Sequence, residues 1–206
     1  MIRTRCLPVG QLQANCWLLW DDSRRAIVID PGDEPLRILR ALQEENLFLQ
    51  QILLTHVHVD HMLAVPDLQR ATGAPLAVHT DDAPALTDGT KSLTTHFGTS
   101  CLLTADRLLN EGDVVMVGDM RVTVWHTPGH TPGSCCYHVE NCLFTGDTLF
   151  AGSVGRTDLP GGNYHTLRNS LRRLAAYPDN LQLFPGHEGV SNLAYEQQNN
   201  FFLSDG

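Results

Sequence analysis

Residues 55–61, THVHVDH, place three histidines and an aspartate in seven positions, directly after the apolar run of residues 51–54. A solvated turn after a strand would explain any one of these side chains, but not four so close together. Imidazole nitrogens and carboxylate oxygens are ligands for divalent metal ions. This stretch therefore predicts a metal site at the end of a buried strand.

Composition and charge narrow the classes of protein that the chain can belong to. With 206 residues, 42% hydrophobic and 18% charged, it is predicted to form a single domain over residues 1–206. The formal net charge of -9 disfavours nucleic acid and anionic membrane surfaces as partners. The N-terminus has no uninterrupted apolar segment of the signal-peptide type, and no run approaches ~18 apolar residues. We expect a cytoplasmic protein that does not enter a membrane.

The six cysteines show no CxxC spacing, and most lie in apolar stretches. We therefore expect reduced thiols that pack as small hydrophobic groups. Cys135 and Cys136 are adjacent in a predicted strand and should point to opposite faces of it, which argues against joint chelation of a metal.

Strand-like and helical patterns alternate along the chain. Strands are predicted at residues 12–20, 25–29, 51–54, 76–79, 114–117, 120–126, 134–139, 142–145 and 181–184. The predicted helices are a first with Leu36, Leu39 and Leu42 at helical spacing, a second over about 60–72, and a third with Leu167, Leu171, Leu174 and Ala175. Strands followed by a helix, twice over, indicate a sandwich of two sheets with helices outside.

Further histidines and an aspartate follow other predicted strands, each beside proline or glycine. They are His130 after the turn 127–129, Asp147 after Gly146, and His187 after 185–186. Loops at one edge of a rigid sheet can present converging ligands. Together with the first cluster they offer seven ligands, which is too many for one tetrahedral zinc but suits two metal ions that share a bridging carboxylate.

These stretches resemble the successive metal motifs of the metallo-beta-lactamase superfamily. The quoted motifs are THVHVDH at 55–61, HTPGHTPG at 126–133, FTGDTLF at 144–150 and FPGHEG at 184–189, with DPGD at 30–33 as the early strand-end motif. The stretch GRTD at 155–158 is most similar to compact glyoxalase II-like hydrolases. The resemblance implies an α/β fold, a four-layer αββα sandwich of two mixed β-sheets with the site at the sheet edges.

The resemblance also implies a ligand set for two divalent metal ions. One ion is expected on His56, His58 and His130, and a second on Asp60, His61 and His187, with Asp147 bridging them. Five imidazoles and two carboxylates without a thiolate suit zinc first, with iron or manganese as alternatives.

The function that we expect is hydrolysis of a small-molecule acyl thioester, such as S-lactoylglutathione, by a metal-bridging hydroxide. Asp60 is the expected catalytic residue, because it can orient that hydroxide. Asp30 is expected behind the metals as an acceptor that holds the histidine loop, although capping of the strand end explains it equally well. Arg156 is a candidate for a substrate carboxylate or for a salt bridge with Asp158, and Tyr164 is a candidate for the cleft or for packing.

Several alternatives remain open at this stage. His126 competes with His130 as a ligand on spacing alone, and the resemblance selects His130. Persulfide dioxygenases of the same superfamily use a single iron at the positions of His56, His130 and Asp147 and also retain GRTD, so the motif does not decide the reaction. A lactonase is a third hypothesis, and a catalytically silent binding module is a fourth. We expect no C-terminal helical glutathione-binding domain, and a monomer or a small homo-oligomer.

Overall fold

Two six-stranded mixed β-sheets form the centre of the computed structural model, which describes residues 2–178 and 180–204. The first sheet contains, in spatial order, β1 (Arg3–Val9), β2 (Ala14–Trp20), β3 (Arg25–Ile29), β4 (Phe48–Leu53), β5 (Leu76–His79) and β6 (Arg107–Leu109). The second contains β7 (Val114–Val117), β8 (Met120–His126), β9 (Cys135–Val139), β10 (Cys142–Gly146), β13 (Gln182–Pro185) and β14 (Ser191–Asn192). A small hairpin pairs β11 (Leu149–Phe150) with β12 (Ser153–Val154).

Helices cover the outer face of each sheet. They are α1 (Pro35–Glu44), α2 (Val59–Met62), α3 (Val65–Thr72), α4 (Tyr164–Ala175), α5 (Leu193–Asn199) and α6 (Phe201–Ser204), with a 3-10 helix at Ala83–Thr87. One apolar cluster lies between the first sheet and α1 and α3, a second between the two sheets, and a third between the second sheet and α4 to α6. Three apolar layers between four structural layers are the αββα sandwich that was predicted.

Alternation along the strands explains how each sheet is buried on both faces. On β2, Trp17 and Leu19 belong to the cluster between the sheets, whereas Leu18 faces the helices. On β9, Cys135 faces the other sheet and Cys136 faces α4. The two thiols therefore point to opposite faces, as predicted, and both are free.

Two sequence predictions about elements were wrong in detail. The edge strand β1 was missed, because its residues are mostly half-exposed and carry no clear alternation. The helix expected over 60–72 is two helices, since Pro66 lacks an N–H and starts a new helix instead of continuing the first. The helix predicted from Leu36, Leu39 and Leu42 is present as α1, in which Ile38, Ala41 and Leu42 are buried and Leu36 is 77% exposed.

The loops that follow β3, β4, β8, β10 and β13 meet at one edge of the sandwich. Contacts between the two sheets hold this edge together: the backbone N–H of Cys135 donates to the carbonyl of Thr55, and the Trp17 indole donates to the carbonyl of Pro185. No helix in the described ranges is long and apolar enough to cross a membrane.

Tyr137 supplies a further link between the sheets, and removing it should destabilise the fold. Its hydroxyl is fully buried and donates to the carbonyl of Leu54 at 2.7 Å. Leu54 directly precedes residues 55–61, which contain His56, His58 and His61. We predict that Tyr137→Phe lowers the free energy of unfolding by ~1–3 kcal/mol, because the buried carbonyl loses this hydroxyl donor. Denaturant unfolding measures the change. Tyr195→Phe at an exposed site is the control and should have no effect, and an equal effect of both would contradict the assignment.

Candidate metal centre

The first group of potential ligands consists of three buried histidines. His56 and His58 lie in the loop between β4 and α2, and His130 lies in the loop after β8. A ring nitrogen from each lies within 4.8 Å of the others. His58 Nδ1 and His130 Nε2 are 2.9 Å apart. The structure thus brings together the three residues that the sequence assigned to one metal ion.

The second group combines α2 with the loop after β13. Asp60 and His61 lie on α2, and His187 follows Pro185 at the end of β13. Asp60 Oδ2 is 3.5 Å from His61 Nε2 and 3.2 Å from His187 Nε2. These are the three residues that the sequence assigned to the second metal ion.

Asp147 lies between the two groups. Its Oδ2 is 3.5 Å from His130 Nε2 in the first group and 3.7 Å from His187 Nε2 in the second, and its Oδ1 is 3.5 Å from His61 Nε2. Ligand atoms at bond lengths of ~2.1 Å around a tetrahedral ion lie ~3.4 Å apart. The separations around Asp147 match that spacing on both sides, which is the arrangement expected of a bridging carboxylate.

Several buried atoms in the two groups have no hydrogen-bond partner in the described part of the chain. They include His56 Nε2, His61 Nε2 and Asp147 Oδ1. Buried polar atoms are nearly always paired, and leaving one unpaired costs free energy. Imidazole and carboxylate atoms that are unpaired and close to one another are satisfied together by a metal cation. The residues present therefore fit a divalent metal cofactor.

The protonation tendencies of these groups support the same conclusion. Burial, and after it the neighbouring His130, lowers the pKa of His58 to about 3, so its ring is neutral and free to act as a ligand. At His61, burial is outweighed by the carboxylates of Asp60 and Asp147, with that of Asp30, which raise its pKa to about 10. The carboxylates thus favour a positive charge at the position where the second cation would bind.

Asp30 lies behind the histidines, at the end of β3. It accepts hydrogen bonds from the Thr55 backbone at 2.7 Å and from the Thr55 hydroxyl at 2.6 Å, and it lies 3.0 Å from His61 Nδ1. Because the hydroxyl proton of Thr55 goes to Asp30, its oxygen is left to accept from His56 Nδ1, 3.1 Å away. One carboxylate thereby directs the Nε2 lone pairs of His56 and His61 into the site.

The backbone carbonyl of Arg156 performs the same task for His130. This carbonyl oxygen lies 2.6 Å from His130 Nδ1 and accepts a hydrogen bond from its N–H, so that Nε2 is the atom facing Asp147. Arg156 contributes this contact through its main chain, independently of its side chain.

Close backbone approach explains two of the glycines beside the site. At Gly146, φ is +48° and a Cβ atom would collide with the side chain of Thr55. At Gly186, a Cβ atom would collide with Asp147 Oδ1. Both glycines allow the ligand loops to approach more closely than any other residue would.

A cleft of about 840 Å³ opens onto the two groups. Among its apolar lining residues are Leu12, Leu93, Phe97, Phe150, Val154 and Leu159. Arg156 is the one lysine or arginine that lines it in the described part of the chain, and its guanidinium is paired with Asp158 through two contacts of 2.7 Å. Tyr164 was a candidate for this cleft, but it is exposed at the start of α4 and is absent from the described lining residues.

His126 lies apart from the seven residues described above. It stacks on His79 with ring centroids 3.9 Å apart, and its Nε2 is 2.9 Å from the carbonyl of Pro132. The geometry thus agrees with His130, and not His126, as the member of the first group.

The sequence did not single out Asp82, which is buried behind the first group. Its carboxylate accepts from Val57 N, Thr131 Oγ1 and Gly133 N. In the sequence it is one of two successive aspartates in a stretch for which no element was predicted, and it therefore carries no signal of this role.

Comparison with known proteins places the chain in a family. The model of the metallo-beta-lactamase superfamily matches residues 9–187. The chain is 35% identical over 204 residues to the hydroxyacylglutathione hydrolase GloC of Haemophilus influenzae, covering 96% of each chain.

Solved structures agree with this result. The BLEG-1 B3 metallo-beta-lactamase superposes with a TM-score of 0.92 at 33% identity, over 98% of this chain and all of that chain. TTHA1623 in a di-iron-bound form superposes with a TM-score of 0.87 at 36% identity, over 97% of this chain and all of that chain. The chain belongs to the metallo-beta-lactamase superfamily.

Proposed function

We propose that the protein is a dinuclear metal-dependent hydrolase of small acyl thioesters, of the glyoxalase II-like type. The observation that carries this proposal is the position of Asp147, whose carboxylate lies between a three-histidine group and an Asp–His–His group. Two adjacent ions that share a carboxylate suit hydrolysis, because such a pair can stabilise both the attacking and the leaving group. Zinc is the proposed metal, and the di-iron form of TTHA1623 supports iron as an alternative.

The proposed ligands are those that the sequence indicated. His56, His58 and His130 would hold the first ion, Asp60, His61 and His187 would hold the second, and Asp147 would contribute to both. Divalent ions in such a site supply a water nucleophile at neutral pH and polarise a carbonyl oxygen. Asp60 also lines the cleft, so that its carboxylate is available to orient the attacking water.

Thioesters are favoured over amides because of their leaving group. A thiol has an ordinary pKa near ~8.5, so it departs as a tolerable anion without a strong general acid. The mainly apolar cleft walls accommodate an acyl chain, and Phe150 contacts His187 edge-on with ring centroids 6.0 Å apart. The GloC relative, described as a hydroxyacylglutathione hydrolase, supports S-lactoylglutathione as the first substrate to test.

The formal net charge of -9 disfavours nucleic acid as a partner.

A mononuclear iron dioxygenase acting on a persulfide is the alternative. Its two-histidine, one-carboxylate set would consist of His56, His130 and Asp147, and the structure brings these residues together within the same site. In that case Asp60, His61 and His187 would have no ligand role, which leaves the close approach of His187 to Asp60 without a function.

The proposed function predicts the reaction itself. The purified protein should release free thiol from S-lactoylglutathione without consuming oxygen. The measurement compares thiol release from this thioester with oxygen uptake on glutathione persulfide, using one preparation of known metal content. Oxygen uptake with the persulfide and no cleavage of the thioester would overturn the hydrolase proposal in favour of the dioxygenase.

Loss of Asp147 should be more damaging than alteration of Asp30. Asp147→Ala removes a ligand that the two ions would share, whereas Asp30→Asn weakens contacts behind the histidines, which typically costs 10 to 100-fold in metal affinity or activity. Metal content per chain and thioesterase rate are the measurements, with about two ions expected in the unaltered protein. Asp67→Asn, at a surface carboxylate paired with Arg70, is the control. Equal losses in the two variants would show that Asp30 is itself a ligand.

The side chain of Arg156 should contribute modestly to binding of an anionic substrate. Arg156→Ala is expected to raise KM for S-lactoylglutathione by about 2- to 5-fold, the effect of an exposed ion pair, and to leave kcat unchanged. An uncharged thioester should show no change. Arg173→Ala, which breaks an exposed pair with Glu111, is the control. A matching rise in KM for the uncharged thioester would mean that Arg156 shapes the cleft and does not bind a carboxylate.

A further inference from the structure

Asp82 joins the two loops that carry the first histidine group. Its Oδ2 accepts from the backbone N–H of Val57 at 3.2 Å and from the hydroxyl of Thr131 at 2.8 Å, and its Oδ1 accepts from the backbone N–H of Gly133 at 2.6 Å. The side chain is 1% exposed. One carboxylate therefore holds together two segments that are about seventy residues apart in the sequence.

The residues that Asp82 contacts are direct neighbours of the proposed ligands. Val57 lies between His56 and His58, and Thr131 follows His130. The separation of the two loops determines whether the three ring nitrogens can reach one ion. A link at this point controls that separation more directly than packing farther from the site.

The ordinary role of an aspartate in this position does not explain these contacts. Asp82 directly precedes the 3-10 helix Ala83–Thr87, where an aspartate usually accepts a hydrogen bond from the first backbone N–H groups of the helix. Its side chain makes no such capping bond. The carboxylate is directed away from the helix that it precedes and toward the metal-site loops.

The chemistry of the contacts requires a carboxylate. Donors approach both oxygens of Asp82, and an ionised carboxylate accepts at both, whereas an asparagine of the same length accepts at only one. Within the described part of the chain, no lysine or arginine forms a salt bridge with Asp82. A buried charge of this kind is costly unless its hydrogen bonds are retained.

The glycine in the second loop fits the same interpretation. A Cβ atom at Gly133 would lie 2.5 Å from Asp82 N and 2.6 Å from Asp82 Cβ. The loop that carries His130 therefore approaches Asp82 at a distance that only glycine allows.

We propose that Asp82 is a positioning residue of the metal centre, which sets the separation between the His56–His58 loop and the His130 loop through its bonds to Val57 and Thr131. This inference rests on the proposed metal centre and is independent of the identity of the thioester. It implies that Asp82 contributes to metal affinity as well as to folding.

The test separates these two contributions. Metal-free protein is titrated with zinc in competition with a chromophoric chelator, and thermal unfolding is measured without zinc. Asp82→Asn should lower the affinity for zinc by about 10 to 100-fold, as expected for residues that orient ligands. Thr131→Val, which removes one of the three donors, should lower it by a smaller factor.

Asp21→Asn is the matched control. Asp21 is also a buried carboxylate that accepts from backbone and hydroxyl groups, those of Ser23 and Asp119, but it lies at the opposite end of β3 from Asp30. This variant should lower the unfolding temperature of the zinc-free protein and leave zinc affinity unchanged.

The outcomes decide the proposal in each case. Unchanged zinc affinity in Asp82→Asn, or an equal loss in Asp21→Asn, would overturn it. If Asp82→Asn does not fold, Thr131→Val decides: lower zinc affinity supports the proposal and unchanged affinity overturns it. If the unaltered protein does not bind zinc tightly, the titration is repeated with iron(II) and manganese(II). Tight binding of none of the three would instead overturn the metal centre, and thioesterase activity in that protein would show that the reaction does not depend on it.

Discussion

The constraint on which the structure depends is the burial of imidazoles and carboxylates around Asp147 without enough hydrogen-bond partners in the described part of the chain. His56 Nε2, His61 Nε2 and Asp147 Oδ1 are buried without a hydrogen bond in the described residues. Burial lowers the pKa of His56, whereas at His61 burial is outweighed by the carboxylates around it, which raise its pKa. Divalent cations resolve both tendencies together, because they supply positive charge and take neutral nitrogen as a ligand. The loops that follow five strands meet at one edge of the sandwich, and they bring these imidazoles and carboxylates together there.

Two buried carboxylates support that edge from behind, and they do so in different ways. Asp30 acts on the rings, since it contacts His61 directly and His56 through Thr55. Asp82 accepts hydrogen bonds from the backbone N–H of Val57 and from the hydroxyl of Thr131, so it holds the two loops without contacting a proposed ligand. Orientation of the rings and separation of the loops are thus controlled by different residues, although both residues follow strands of the first sheet.

The sequence predicted the sandwich and brought the seven ligand candidates into view because both depend on local patterns. Strand ends that are marked by proline or glycine and followed by histidine or aspartate can be recognised without knowing which strands are neighbours in a sheet. Asp82 could not be recognised, because its contacts are with Val57 and with Thr131, about fifty residues away, and depend on how the two sheets pack. Helical spacing does not tell which side of a helix faces the core, so Leu36, Leu39 and Leu42 predicted α1 without identifying Ile38 and Ala41 as buried residues of it.

Part of the cleft is lined by side chains that lie outside the loops of the proposed ligands. The proposed ligands are largely buried and held by backbone and carboxylate contacts, so a change in any of them disturbs several bonds at once. By contrast, Leu12 and Phe97 are 48% and 47% exposed, and they line the cleft from segments outside the ligand loops. Substitutions there can change the shape of the cleft without moving Asp147. One metal centre can therefore be combined with differently shaped clefts, which is why similarity in the ligand motifs supports a metal centre more strongly than a particular substrate.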